Sequence, residues 1–171
     1  MSQAKKVFTR MCLNNWGGID HKVLEFHEYV NLFSGKSGSG KSTVMDAIQV
    51  ILYGSFSPSF LNKAADDAKN RRSVLSYLRG EQKDGSANRK DCDFCSVIAL
   101  EIEDTGTHII TCIGIAFEVR KSDSEIKKFV YFSHSGKMPE SEYLTEQGVC
   151  YSNQEIKKLI QERKPELLSI P

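Results

Sequence analysis

The stretch that decides the fold is Asn31-Leu32-Phe33-Ser34, then Gly35-Lys36-Ser37-Gly38-Ser39-Gly40-Lys41-Ser42, then Thr43-Val44-Met45-Asp46-Ala47-Ile48-Gln49-Val50-Ile51-Leu52-Tyr53-Gly54. Residues 35–42 satisfy G-x-x-x-x-G-K-[S/T] in full. Each residue type in that pattern has a physical task. Glycines let successive backbone N–H groups turn inward around an anion, and the following helix aims its N-terminal amides and dipole at the same charge. Lys41 places an ammonium on the β- and γ-phosphates of a nucleoside triphosphate, ATP in the first instance, and Ser42 offers a hydroxyl to Mg²⁺. Thr43 adds a hydroxyl or amide for the α-phosphate. Gly35, Lys36, Ser37, Gly38, Ser39 and Gly40 complete the cradle. Charge-assisted hydrogen bonds of this kind contribute about 1.5–3 kcal/mol each.

Working outward, Val44, Ala47, Ile48, Ile51 and Leu52 fall at helical spacing, which predicts an amphipathic helix over residues 41–53 that stops at Gly54. Upstream, residues 7–13 and 22–26 read as a hairpin around the turn-forming Asn14-Asn15-Trp16-Gly17-Gly18. Residues 29–34 read as a further short strand entering the loop. Downstream, residues 61–79 read as partly helical, with Val74, Leu75 and Leu78 on the apolar side, and 81–91 as an exposed loop. Residues 96–103, 108–119 and 129–133 predict an antiparallel meander spanning 96–133, with Ile98, Leu100 and Ile102 on one half-exposed strand's buried face. Ser152 and Glu155 have capping-box spacing and open a helix over about 153–164, which Pro165 ends. The fold class is thus α/β, a P-loop NTPase with an antiparallel β subdomain, in one domain over residues 1–171.

Composition narrows the function classes. At 40% hydrophobic residues the chain buries a core, and its net charge of +1 gives no global pull toward nucleic acid. No apolar run spans a bilayer and no apolar signal core follows the N-terminus, which predicts a cytoplasmic protein with no membrane partner. Five cysteines, an odd count, fit free thiols. Cys92-Asp93-Phe94-Cys95 has the spacing of half a zinc site, but no second pair exists, and the two read as ordinary cysteines entering a strand. Residues 63–90 hold eight basic against four acidic residues, a local net charge of +4, read either as a DNA-facing patch or as a solvated helix and loop.

The loop with the Ser42-Thr43-Val44-Met45-Asp46-Ala47-Ile48 run after it, and the hairpin before it, resemble the N-terminal head of SMC-like ATPases. The segments Phe60-Leu61-Asn62-Lys63-Ala64-Ala65, Arg71-Arg72-Ser73-Val74 and Tyr77-Leu78-Arg79-Gly80-Glu81 are similar to the condensin-like ATPase (JetC, MukB/MksB type) of Wadjet anti-plasmid systems. The resemblance implies the Walker A lobe of an ABC-type head, followed by a coiled coil and completed by a C-terminal lobe with signature and Walker B residues. Two such heads, a homodimer, sandwich ATP and act on DNA; a kleisin, a small winged-helix protein and a toprim nuclease are the implied Wadjet partners. It also places Asn14, Asn15 and Trp16 near the base and ribose, and makes Arg71 and Arg72, with Lys69 and Arg79, the DNA-contacting candidates. Ser37 departs from the asparagine common at its position.

No LSGGQ-like signature is present. Glu101-Ile102-Glu103-Asp104 mimics a Walker B ending, but its alternation reads as antiparallel, and Gln147 and Gln154 are weak Q-loop candidates. Lys41 is the catalytic residue the chain supplies. The expectation is weak or no nucleotide binding alone, negligible hydrolysis until a C-terminal lobe completes the site, and a chain that is a truncated gene product, a split half or an excised piece. Two other function classes fit a P-loop: a small kinase, which the antiparallel second half opposes, and a non-catalytic nucleotide-binding or interaction module.

Overall fold

In the computed structural model the described residues are 4–36, 38–56, 61, 73–81 and 84–164. Their frame is an antiparallel sheet of five strands: β1 (Lys6–Trp16), β2 (Ile19–Glu25), β3 (Phe94–Asp104), β4 (Ile110–Val119) and β5 (Lys128–Ser135), in spatial order β2-β1-β3-β4-β5. The hairpin and the meander both stand where the sequence puts them. The β1–β2 turn is tighter than expected: Asn14, Asn15 and Trp16 belong to β1, and only Gly17-Gly18 turn.

Both faces of the sheet are covered. On one, α1 (Lys41–Tyr53) and α2 (Val74–Arg79) pack Val44, Ala47, Val50, Leu75 and Leu78 against Met11, Leu13, Ile98, Leu100, Ile115 and Phe117. Each such Val, Leu, Ile, Met or Phe side chain gains roughly 1.5–3 kcal/mol from leaving water. On the other, α3 (Asn153–Glu162) and residues 138–151 lay Met138, Tyr143, Cys150, Ile156 and Leu159 over Cys12, Val97, Ala99, Cys112 and Ala116. This corrects the reading of β3 as half-exposed: Val97 and Ala99 are as buried as Ile98 and Leu100. The small residues on this face leave room for the second layer.

Helix ends follow the local chemistry. Gly54 closes α1 in the left-handed conformation, its N–H on the Val50 carbonyl. Ser152 and Glu155 form the reciprocal capping box at α3. One local conformation redirects a key side chain. Cys12 and Asn14 face α3, and simple alternation would send Trp16 the same way. Asn15 has φ 54°, a left-handed value that asparagine tolerates, and its side-chain amide donates to the Cys95 carbonyl at 2.8 Å. Trp16 therefore enters the α1 face instead.

The strand expected over 29–34 is absent: residues 30–35 are neither helix nor strand. A strand exists only where a neighbour satisfies its backbone groups, and no described strand lies beside this segment. Asn31 instead caps a local turn with both its side-chain bonds on the His27 backbone. Tyr29, Val30 and Leu32 are 81%, 76% and 86% exposed, whereas Phe33 anchors the segment on Phe26.

Candidate nucleotide-binding site

The Gly-rich loop ends on α1 in an open geometry. Gly40, the N-cap, has φ 90° and no side-chain cap, so the first-turn amides of α1 stay available to a ligand. Lys41 folds back into the loop's curve: its ammonium donates to the carbonyls of Gly35 (2.6 Å) and Lys36 (2.9 Å) and to the Ser39 hydroxyl (3.2 Å). Gly35 is needed here because a Cβ would stand 2.6 Å from the Ser39 Oγ. Ser37 lies outside the described residues.

Residues 38–43 form one side of a cavity of about 840 Å³, within the range of small-ligand sites. Gly17, Gly18 and Ile19 of the β1–β2 turn form a second wall, and Tyr77, Gly80, Glu81 and Asp84 a third. The cavity is therefore cationic and amide-lined at α1 and carboxylate-bearing across from it. The Asp84 carboxyl accepts from the Ser86 hydroxyl and amide, which hold it below the usual carboxylate range. This fits a triphosphate at the α1 end, with the Ser42 hydroxyl, exposed on the first turn, positioned for a cation beside it.

Asn14, Asn15 and Trp16 do not line the cavity. Asn14 is buried, donating to the Glu142 carbonyl at 2.8 Å and pairing with His21. Trp16 is fully buried, which removes it as a direct base contact. Its indole N–H donates to the Thr43 carbonyl at 2.9 Å and its ring stacks on Tyr77 at 4.9 Å. Tyr77 in turn donates its hydroxyl to buried Asp46 at 2.9 Å. Trp16 thus supports the loop's helix from below, and Asp46 serves structure.

Tyr77 and Glu81 lie in a segment quoted for the family resemblance and Asp84 in none, and their place on the cavity wall is visible only in three dimensions. Arg89 counts in the sequence as surface charge, yet it is buried and its guanidinium bonds the Gly17 and Leu78 carbonyls and Asp20. Arg79 is likewise diverted: it donates to the carbonyls of Arg120, Lys121 and Asp123, a structural tie rather than a free DNA-contacting cation. Lys69, Arg71 and Arg72 lie outside the described residues. Glu101 binds the Met138 amide (2.6 Å) and Thr9 hydroxyl (2.7 Å), and β3 is antiparallel on both sides, so the Walker B mimic is a structural carboxylate. Among the described residues no His/Cys/Asp/Glu cluster holds a metal, and Cys92 and Cys95 are free thiols.

Residues 8–68, which include β1 from Phe8 onward, β2, the loop and α1, match the family described as the P-loop containing region of AAA domain. The fold is a P-loop NTPase fold. Its antiparallel sheet beside the P-loop helix is consistent with the N-terminal half of an ABC/SMC-type head. The chain is also similar to the C component of the nuclease SbcCD from Staphylococcus haemolyticus (strain JCSC1435), 39% identical over 74 residues. That match covers 41% of this chain and 6% of the relative's length. Together the two matches support an SMC-like P-loop ATPase family. No described helix of this P-loop lobe is long and apolar enough to cross a membrane.

Proposed function

We propose that this chain binds ATP with Mg²⁺ as the Walker A lobe of an SMC-like ATPase that acts on DNA, in plasmid restriction of the Wadjet type or in chromosome organisation. The observation that carries the reading is the uncapped N-terminus of α1, with Lys41 and Ser42 on a nucleotide-sized cavity. Amides of Gly38 to Thr43 and the Lys41 ammonium bind the phosphates, and the ammonium leaves its three loop oxygens to do so. Mg²⁺, held by Ser42, neutralises phosphate charge when bound. Hydrolysis requires groups from a C-terminal lobe. The exposed Tyr29, Val30 and Leu32 just ahead of the loop suit such a lobe, which would add the strand that pairs with them.

DNA action rests on Lys69, Arg71 and Arg72 and on the resemblance to SMC-like heads; the same resemblance supplies the second head, kleisin, winged-helix and toprim partners. The antiparallel sheet gives a small-kinase reading no support. The deciding experiment mixes the chain with a C-terminal lobe of SMC-like sequence and measures phosphate release. No turnover by the chain alone, turnover in the mixture, and its loss with Lys41→Ala support the proposal. Turnover by the chain alone at a rate the added lobe leaves unchanged refutes it.

A further inference from the structure

Arg89 is buried with its side chain 7% exposed, while its acidic partner Asp20 is 81% exposed. Burial of a guanidinium is costly unless its donors are well matched, and here each of the three nitrogens has an acceptor. Nε donates to the Leu78 carbonyl (2.9 Å), Nη1 to Asp20 (2.7 Å), and Nη2 to the Gly17 carbonyl. Its own amide bonds the Arg79 carbonyl at 3.0 Å. The fork therefore joins the β1–β2 turn to the end of α2. Those two pieces of chain meet closely: Gly80 has φ 67°, and a Cβ on it would stand 2.7 Å from the Gly17 carbonyl oxygen. They are also two walls of the cavity, one of Gly17, Gly18 and Ile19, the other of Gly80, Glu81 and Asp84. With the triphosphate on α1, the part of the cavity that these two joined walls bound is where a base and ribose would lie.

We propose that Arg89 is a positioning residue for the nucleoside half of the site, holding the β1–β2 turn against the end of α2 so that the gap receiving base and ribose is preformed. The inference rests on the nucleotide reading above and adds to it a device that neither the motif nor the fold class supplies. Preformed walls spare the ligand the cost of ordering them. Inorganic tripolyphosphate, which has no nucleoside, gains nothing from the device.

The test measures affinity for ATP and for inorganic tripolyphosphate, both with Mg²⁺, by amide chemical-shift titration of the chain and its Arg89→Lys variant. Lysine keeps the charge and stem but loses the three-way fork. The expected result is a loss of about tenfold or more for ATP, with tripolyphosphate changed less than about twofold. A parallel loss for both ligands, or for neither, overturns the proposal. Gly80→Ala, which wedges the same walls apart, should give the same split; if Arg89→Lys does not fold, the Gly80→Ala result decides. Wild-type chain that binds tripolyphosphate as tightly as ATP overturns the Arg89 role and leaves the phosphate site standing. Wild-type chain that binds neither, alone or with a C-terminal lobe of SMC-like sequence added, removes the nucleotide reading itself.

Discussion

Replacing Tyr77 with phenylalanine probes the connection between α2 and the phosphate-binding helix. The ring stays stacked on Trp16 at 4.9 Å, and only the hydroxyl that donates to buried Asp46 at 2.9 Å is lost. Removing one partner of a buried hydrogen bond leaves the other unsatisfied, at a cost of about 1–3 kcal/mol. Both partners are 4% exposed, so water does not replace the bond and the upper half of that range applies. For a chain of this size each kcal/mol moves Tm by about 2–4 °C, so Tyr77→Phe should lower Tm by about 4–12 °C. Thermal unfolding followed by far-UV circular dichroism gives the shift, and a double-mutant cycle with Asp46→Ala isolates the pair. Because Trp16, the chain's sole tryptophan, lies between Tyr77 and the Thr43 carbonyl, its fluorescence should change too. A Tm within about 1 °C of wild type, with zero coupling in the cycle, would refute the reasoning.

Thiol reactivity and acid stability should follow burial and bonding in the same way. Burial pushes the Cys12 and Cys112 thiols up to about 12 and Cys95 to about 11, and raises Cys150 as well, whereas Cys92 is exposed. A disulfide reagent at pH 8 should therefore modify one thiol rapidly in native protein and all five after denaturation. Several fast native thiols would contradict the burial. Asp104, bonded to the Lys6 ammonium and the amides of Gly106 and Thr107, is held at about 2. A depressed carboxylate stabilises the fold above its unfolded pKa of about 3.9 and stops doing so as pH falls toward the folded value. Asp104→Asn should remove the part of the acid destabilisation that falls between these two values; identical acid profiles for both proteins would show that the β3–β4 turn does not depend on it.

What the sequence revealed and what it hid divide along physical lines. The loop, α1 and its Gly54 stop, and the α3 capping box are written in local chemistry and stand in the structure. The meander is legible for the same reason, since alternation and turn residues fix its register. Residues 29–34 misled because β propensity speaks to side chains, whereas a strand needs a partner for its backbone. Trp16 misled because one left-handed residue, Asn15, turns it to the other face. Arg79 and Arg89 misled because a charge count cannot tell a solvated cation from one satisfied by carbonyls. Val97 and Ala99 hid the second covering layer, because small residues carry little hydrophobic signal in a sequence even where packing buries them fully.

The central claim is that residues 35–42 and the first turn of α1 hold nucleoside triphosphate phosphates. Its most direct measurement is a titration of the chain with Mg²⁺·ATP, following backbone amide shifts by NMR, in wild type and Lys41→Ala. The account predicts weak saturable binding with the largest shifts at Gly38, Gly40, Ser42 and Thr43. Lys41→Ala should weaken it by about tenfold or more while the fold persists. Equal binding by the variant, or shifts centred away from this loop, would contradict it.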